Sequence, residues 1–101
     1  MEHTPTVSVV IVSWNAKAYL AECLRTLIQQ PCKYTMEVLV VDNASTDGSP
    51  EFVENSCPNV RLIRNESNLG FSKANNRGIQ QSTGKYVCLV NSDLTGRRVF
   101  L

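Results

Sequence analysis

Residues 7–15 read VSVVIVSWN, and the fold follows from how that run is written. Val7, Val9, Val10, Ile11 and Val12 place β-branched side chains on both faces of an extended segment. That is the pattern of a strand covered on both sides, as in a parallel sheet between helices. Beyond it, Asn15 reads as a helix N-cap, and Leu20, Leu24, Leu27 and Ile28 recur at helical spacing until Pro31. Met36 to Val41 repeats the apolar strand and ends in Asp42 and Asn43, followed by the polar loop Ala44 to Gly48. Ser49 before Pro50 predicts an N-cap with proline at the first helical position, and a short helix to about Ser56. Val60 to Arg64 reads as a third strand and Gly70 to Ser82 as a helix. Gly78 weakens that helix by ~1 kcal/mol, and Gly84 is its expected stop. Lys85 to Val90 is the fourth strand.

The order βαβαβαβ with short connections predicts an α/β fold, a doubly wound Rossmann-like parallel sheet with strand order 3-2-1-4. Ligands of such sheets bind beyond the carboxyl ends of the strands, where the strand order reverses. Ser13, Asp42 and Asp93 stand at or just past those ends.

The chain has 101 residues, with ten Lys and Arg against nine Asp and Glu, a formal charge of +1. One small domain fits this length, and the near-neutral balance argues against nucleic acid or an anionic membrane as the main partner. No apolar run approaches the roughly 18 residues of a membrane span, and the first residues do not read as a signal peptide; the chain reads as cytoplasmic. Cys23, Cys32, Cys57 and Cys88 form no CxxC pair, and His3 is the only histidine, so zinc is not expected. The thiols read as reduced, partly buried residues, with a disulfide as the lesser alternative. The Asn-x-Ser triplets at Asn43 and Asn65 read as incidental.

Four polar clusters are candidates for chemistry. Ser13, Trp14 and Asn15 offer a hydroxyl, an aromatic face and an amide where a dinucleotide fold would carry GxGxxG. That suits a nucleoside; alternatively, Asn15 only caps the helix and Trp14 covers the sheet end. Asp42 is placed to accept from a base edge or ribose, Asn43 lies beside it, and Asp47 is placed to order its own loop. The helix with Lys73, Asn75, Asn76 and Arg77 has few large apolar residues, which predicts poor core packing and leaves its amides for base recognition or for a solvated face. Asn91 and Asp93, flanking Ser92, point the same way in an extended segment and suit Mg or Mn on a diphosphate.

Taken together, VSVVIVSWN, VLVVDNASTDGS, NLGFSKANNRGI and TGKYVCLVNSD resemble the N-terminal nucleotide-sugar-binding portion of a family 2 inverting glycosyltransferase with the GT-A fold. The resemblance spans Val7 to Asp93. It implies that Ser13 and Trp14 wall the nucleoside, that Asp42 meets the base, and that Asn15, Asn43, Asp47, Asn75, Asn76, Asn91 and Ser92 line the nucleotide sugar. It also implies that Asp93, with Asn91 as a second ligand, holds a divalent cation together with the nucleotide diphosphate sugar. Asn91 stands where many members have the first Asp of DxD, as in rhamnosyltransferase-like members, and Asn75 stands where many carry Arg.

The implied donor is a nucleotide diphosphate sugar, of UDP or dTDP type, and the implied acceptor is a saccharide or lipid-linked glycan. The general base is expected in a C-terminal half, and a full-length protein at the cytoplasmic face of a membrane. The domain reading is a disordered segment 1–6, the nucleotide-binding half 7–93 and a truncated or non-native tail 94–101. The alternative is a catalytically inactive nucleotide-binding or self-associating fragment, with a homodimer through strand four as an exposed edge. A receiver-type module is disfavoured because no acidic pair follows the first strand.

Overall fold

A computed structural model describes residues 4–29, 34–91 and 99–100; the expectations for Pro31, Cys32, Ser92, Asp93 and residues 94–98 lie outside them. The all-apolar run becomes the centre of the sheet. Strand β1 (Val7–Ser13) lies between β2 (Met36–Asp42) and β4 (Tyr86–Asn91), parallel to both, and β3 (Arg61–Arg64) adds in parallel to the far edge of β2. The four parallel strands thus follow the expected order 3-2-1-4.

Alternation along the central strands divides the core in two. Val9, Ile11, Val38 and Val40 pack with Leu20 and Leu24 of α1 (Lys17–Gln29) and Val53 of α2 (Ser49–Ser56). Val10, Val12, Leu39 and Val41 pack with Ala74 of α3 (Phe71–Gln81) on the other side. Full burial of Ile11, Leu20, Leu24 and Leu39 is worth roughly 1.5–3 kcal/mol apiece. Cys57 and Cys88 are buried free thiols and Cys23 is half-buried; burial pushes the Cys23 and Cys88 thiols up.

Several local expectations are corrected. Asn15 is not a helix N-cap: it sits at φ 47°, and its side chain bonds to the next loop. Ser49 does not cap α2 either, since Gly48 holds the N-cap position at φ 86° and the Ser49 hydroxyl donates back to Asp47. The expectation that α3 packs poorly fails for a simple reason. Small residues bring its backbone against the sheet: a Cβ on Gly78 would lie 2.4 Å from Val10 Cγ1. The helix-weakening glycine is what allows the close approach. Gly84 lies beyond Ser82, which ends α3, and is required by contact instead, since a Cβ there would meet Ser8 N at 2.7 Å.

The two ends of the chain also differ from expectation. Residues 1–6 are not all loose, because Lys85 N donates to Pro5 O, Tyr86 N to Thr6 O and Thr6 N to Thr35 O. Strand four is not the edge of the sheet. A short strand β5 (Val99–Phe100), from the segment read as a tail, pairs antiparallel with Leu89 and Val90 and makes the order β3-β2-β1-β4-β5. Backbone groups at the carboxyl end of β4 take a partner from the chain itself.

Candidate nucleotide-binding site at the carboxyl edge of the sheet

The strand order reverses between β1 and β4, so the crevice expected of a doubly wound fold opens where these two strands end. Ser13 lies abreast of Asp42 in the β1–β2 ladder, and Asn91 pairs with Val12, one residue short of Ser13. The three strand ends therefore form one shelf. Trp14, just past it, is 53% exposed, an aromatic face left uncovered where apolar surface is normally withdrawn.

The loop after β2 is organised by side chains. Asp42, only 2% exposed, accepts from Ser45 N at 2.8 Å and Ser45 Oγ at 2.7 Å. Ser45 Oγ in turn accepts from Asn15 N at 2.8 Å, and Asn15 Oδ1 accepts from Thr46 N at 2.7 Å. The turn after β1 is thus latched to the turn after β2. Both carry residues in the left-handed region, Asn15 and Ala44 at φ 67°; alanine there costs roughly 1–2 kcal/mol.

Asp47 joins two helices. Its Oδ2 accepts from Lys17 N at 3.0 Å, in the first turn of α1, and its Oδ1 accepts from Ser49 N at 3.0 Å and from the Ser49 hydroxyl. Partial burial works against its charge, but the bonds from Ser49 and Lys17 outweigh it and hold the carboxyl below the usual range. Asp47 does the capping expected of Asn15 and Ser49, from 30 positions away for α1 and from two for α2.

Asn43 is also enclosed, at 2% exposed. Its N donates to Ser13 O at 2.9 Å. Its Oδ1 accepts from Asn65 Nδ2 at 2.8 Å and Leu69 N at 3.3 Å, and its Nδ2 donates to Gly70 O at 3.3 Å. Asn65 N donates to Asp42 O at 2.8 Å. One amide side chain therefore ties together the ends of β2 and β3 and the start of α3. Asn75, one turn into α3, is 5% exposed and Asn76 beside it is exposed.

Three buried side-chain atoms among the described residues lack a hydrogen-bond partner: Ser13 Oγ, Asn65 Oδ1 and Asn75 Oδ1. Ser13 and Asn65 lie at the carboxyl ends of strands and Asn75 one turn into the helix that starts there. An unpaired buried polar group costs about 1–3 kcal/mol. Ser45 and Asn65 were not singled out as site residues from the sequence, although each of the two Asn-x-Ser triplets contains one of them. Both asparagines of those triplets are buried against each other.

No cluster of three His, Cys, Asp or Glu side chains converges among the described residues. Asn91 contributes a strand end on the shelf, while Ser92 and Asp93 lie outside the description. One carboxylate and one amide are too few oxygen donors to hold a cation on their own, so a cation there would share the oxygens of a bound diphosphate.

The sequence profile described as Glycosyl transferase family 2 matches residues 8–96. Among curated relatives, the uncharacterized glycosyltransferase YibD of Escherichia coli is 38% identical over 92% of this chain and 27% of its own length. Glycosyltransferase GlyG of Streptococcus pneumoniae is 33% identical over 86% of this chain and 30% of its own. The chain thus spans under a third of these relatives. Among solved structures, S. aureus TarS 1–349 in complex with UDP superposes with a TM-score of 0.78 at 34% identity, over 87% of this chain and 27% of that one. The mannosyltransferase PcManGT of Pyrobaculum calidifontis, in complex with GDP-Man and Mn2+, superposes at 0.77 with 29% identity, over 90% of this chain and 28% of that one. Profile and fold agree along nearly the whole length, and the chain belongs to glycosyl transferase family 2.

Proposed function

We propose that this chain is the donor-nucleotide-binding part of an enzyme that transfers a sugar from a nucleotide diphosphate sugar, of UDP or dTDP type, to a saccharide or lipid-linked acceptor with inversion. The observation that carries this reading is the latched shelf at the β1–β4 switch, with Ser13 beside Asp42 and the Trp14 ring exposed next to them. The UDP-bound and UDP-GlcNAc-bound forms of TarS support it.

In this reading Trp14 stacks on the base and the Ser13 hydroxyl gains the partner it lacks. Asp42 acts mainly by holding the Ser45 turn, since both its oxygens already accept bonds. Asp47 is a brace between helices. Asn15 latches the wall, and Asn75 and Asn76 offer amides from α3. Asn91, Ser92 and Asp93 take the diphosphate side, in an Asn-x-Asp spelling read as the rhamnosyltransferase-like variant. A divalent cation, Mg or Mn, bound only together with the diphosphate, would neutralise leaving-group charge there. The base that deprotonates the acceptor is assigned to a C-terminal part of a longer protein, working at the cytoplasmic face of a membrane. No helix among the described residues is long and apolar enough to cross one.

Calorimetric titration of the 101-residue chain with UDP, dTDP and GDP, each with and without manganese, tests the reading. The expected result is metal-assisted binding of the pyrimidine nucleotides, weakened roughly tenfold or more in Trp14→Ala by loss of stacking. Failure of all three nucleotides to bind the wild-type chain in the presence of manganese overturns it. A self-associating fragment is the second reading. It rests on the β4 positions Tyr86 to Cys88, whose outer side takes no strand partner among the described residues.

A further inference from the structure

A flat base seated between the β1 turn and the amino end of α3 would need a fixed spacing between them, and nothing in α3 supplies that by bulk. Its buried residues are Ala74, Asn75 and Gly78. Gly78 seats the middle of the helix on the sheet, and its first turn is held by a polar clamp. Asn43 receives Leu69 N and gives to Gly70 O, the carbonyl that also accepts the first helical bond, from Ala74 N at 3.2 Å. At the same time the Asn43 backbone is bonded to Ser13 O, the last residue of β1. The end of β1 and the start of α3 are therefore joined through one residue. Asn43 is 2% exposed, its Oδ1 accepts two bonds and its Nδ2 donates one, so the side chain is enclosed between the strand ends and the start of α3 rather than turned outward to a ligand.

We propose that Asn43 is a positioning residue: it sets the placement of the α3 amino end against the Ser13–Trp14 wall, and so governs nucleotide affinity without touching nucleotide. This inference rests on the nucleotide-binding reading above and moves Asn43 from the ligand-lining set to its support. The chemistry requires an amide. Asn43 Oδ1 serves two N–H donors while Nδ2 serves a carbonyl, and a carboxylate reproduces only the first half.

The test compares the wild-type chain with Asn43→Asp, which keeps the shape and the acceptor but sets an oxygen against Gly70 O. Each protein is titrated with UDP and manganese at low temperature, and amide hydrogen exchange is followed at Leu69 and Ala74. The expected result is a folded Asn43→Asp variant with roughly tenfold weaker UDP binding, the size of one lost hydrogen bond, and faster exchange at both amides. Weaker binding with unchanged exchange at Leu69 and Ala74 overturns the proposal, because Asn43 would then touch the ligand itself. Faster exchange with unchanged affinity overturns it as well, because the clamp would be structural only. Should the variant not fold, the wild-type chain decides: UDP should slow exchange at Leu69, and no change there overturns the proposal. A wild-type chain that binds no nucleotide is a distinct result, removing the function reading and this inference with it.

Discussion

The two ends of the same sheet use polar side chains in opposite ways. At the amino end, Ser8 is fully buried, yet its hydroxyl donates to Glu37 Oε2 at 2.5 Å and accepts from Gly84 N at 2.7 Å. Glu37 also takes Thr83 N at 2.6 Å and Thr83 Oγ1 at 3.0 Å, while Arg61 reaches Glu37 and Gln81 O from β3. This clasp joins β1, β2, β3 and the turn between α3 and β4 with no orphaned atom. At the carboxyl end lie Ser13, Asn65 and Asn75, each with a buried atom unpaired, and two non-glycine residues at positive φ. Strain and unmet hydrogen-bonding capacity gather, beside satisfied latches, at the end where a ligand is expected, while the amino-end clasp leaves none of its buried polar atoms unpaired.

The largest expected effect breaks the satisfied end. Gly84→Ala places a Cβ 2.6 Å from Ser8 Oγ and 2.9 Å from Val7 C. Because backbone is among the atoms met, the strand must shift, and a loss of about 2–3 kcal/mol is expected by denaturant unfolding. Nucleotide affinity measured below the unfolding range should be unchanged; a parallel loss of affinity would mean that the two ends are coupled.

Next is the pH response of the clasp. Partial burial pushes the Glu37 carboxyl up, but hydrogen bonds from Ser8, Thr83 and Arg61 prevail and hold it below its usual range. A carboxyl whose folded pKa lies below its unfolded value, about 4.3, adds stability above that value and loses it as pH falls through the folded pKa. Glu37→Gln should therefore cost about 1–2 kcal/mol at neutral pH and flatten the acid side of the stability curve. Equal slopes below pH 4 for both proteins would show that Glu37 is not the titrating group.

The smallest effect sharpens the strained end. Ala44→Gly removes a left-handed alanine costing roughly 1–2 kcal/mol, offset by roughly 0.4–1 kcal/mol of added freedom in the unfolded chain. A net gain of about 0.5 kcal/mol is expected in thermal unfolding. A loss instead would show that the Ala44 methyl group packs usefully, and that the left-handed turn carries no strain.

Legibility in the sequence divides along the same line. The strands were readable because each is a short apolar run whose burial on both faces is written into consecutive residues, and the helical spacing of Leu20 and Leu24 marked α1 equally well. Ser49 reads as a cap although the acceptor is Asp47, two residues before it, and Asn15 reads as one because a cap is inferred from near neighbours. The actual donor–acceptor pairs, Lys17 with Asp47 and Asn15 with Ser45, are 30 positions apart. Gly78 was misread because a glycine inside a helix looks like a weakness until a sheet is laid against it. Ser13 and Asp42 are legible as strand ends, since strand length suffices to locate them, while their side-by-side register is set by the ladder.

The sequence by itself determined four parallel strands, their order and the edge at which polar residues gather, because periodicity and crossover handedness are local or topological properties. Only the tertiary structure decided which polar side chains are spent on bracing the strand-end loops and which keep a buried atom unpaired. Asp47 and Asn43 carry the same chemistry as a contacting residue would, and their roles are set by hydrogen-bond partners that lie between 2 and 30 residues away along the chain and beside them in space.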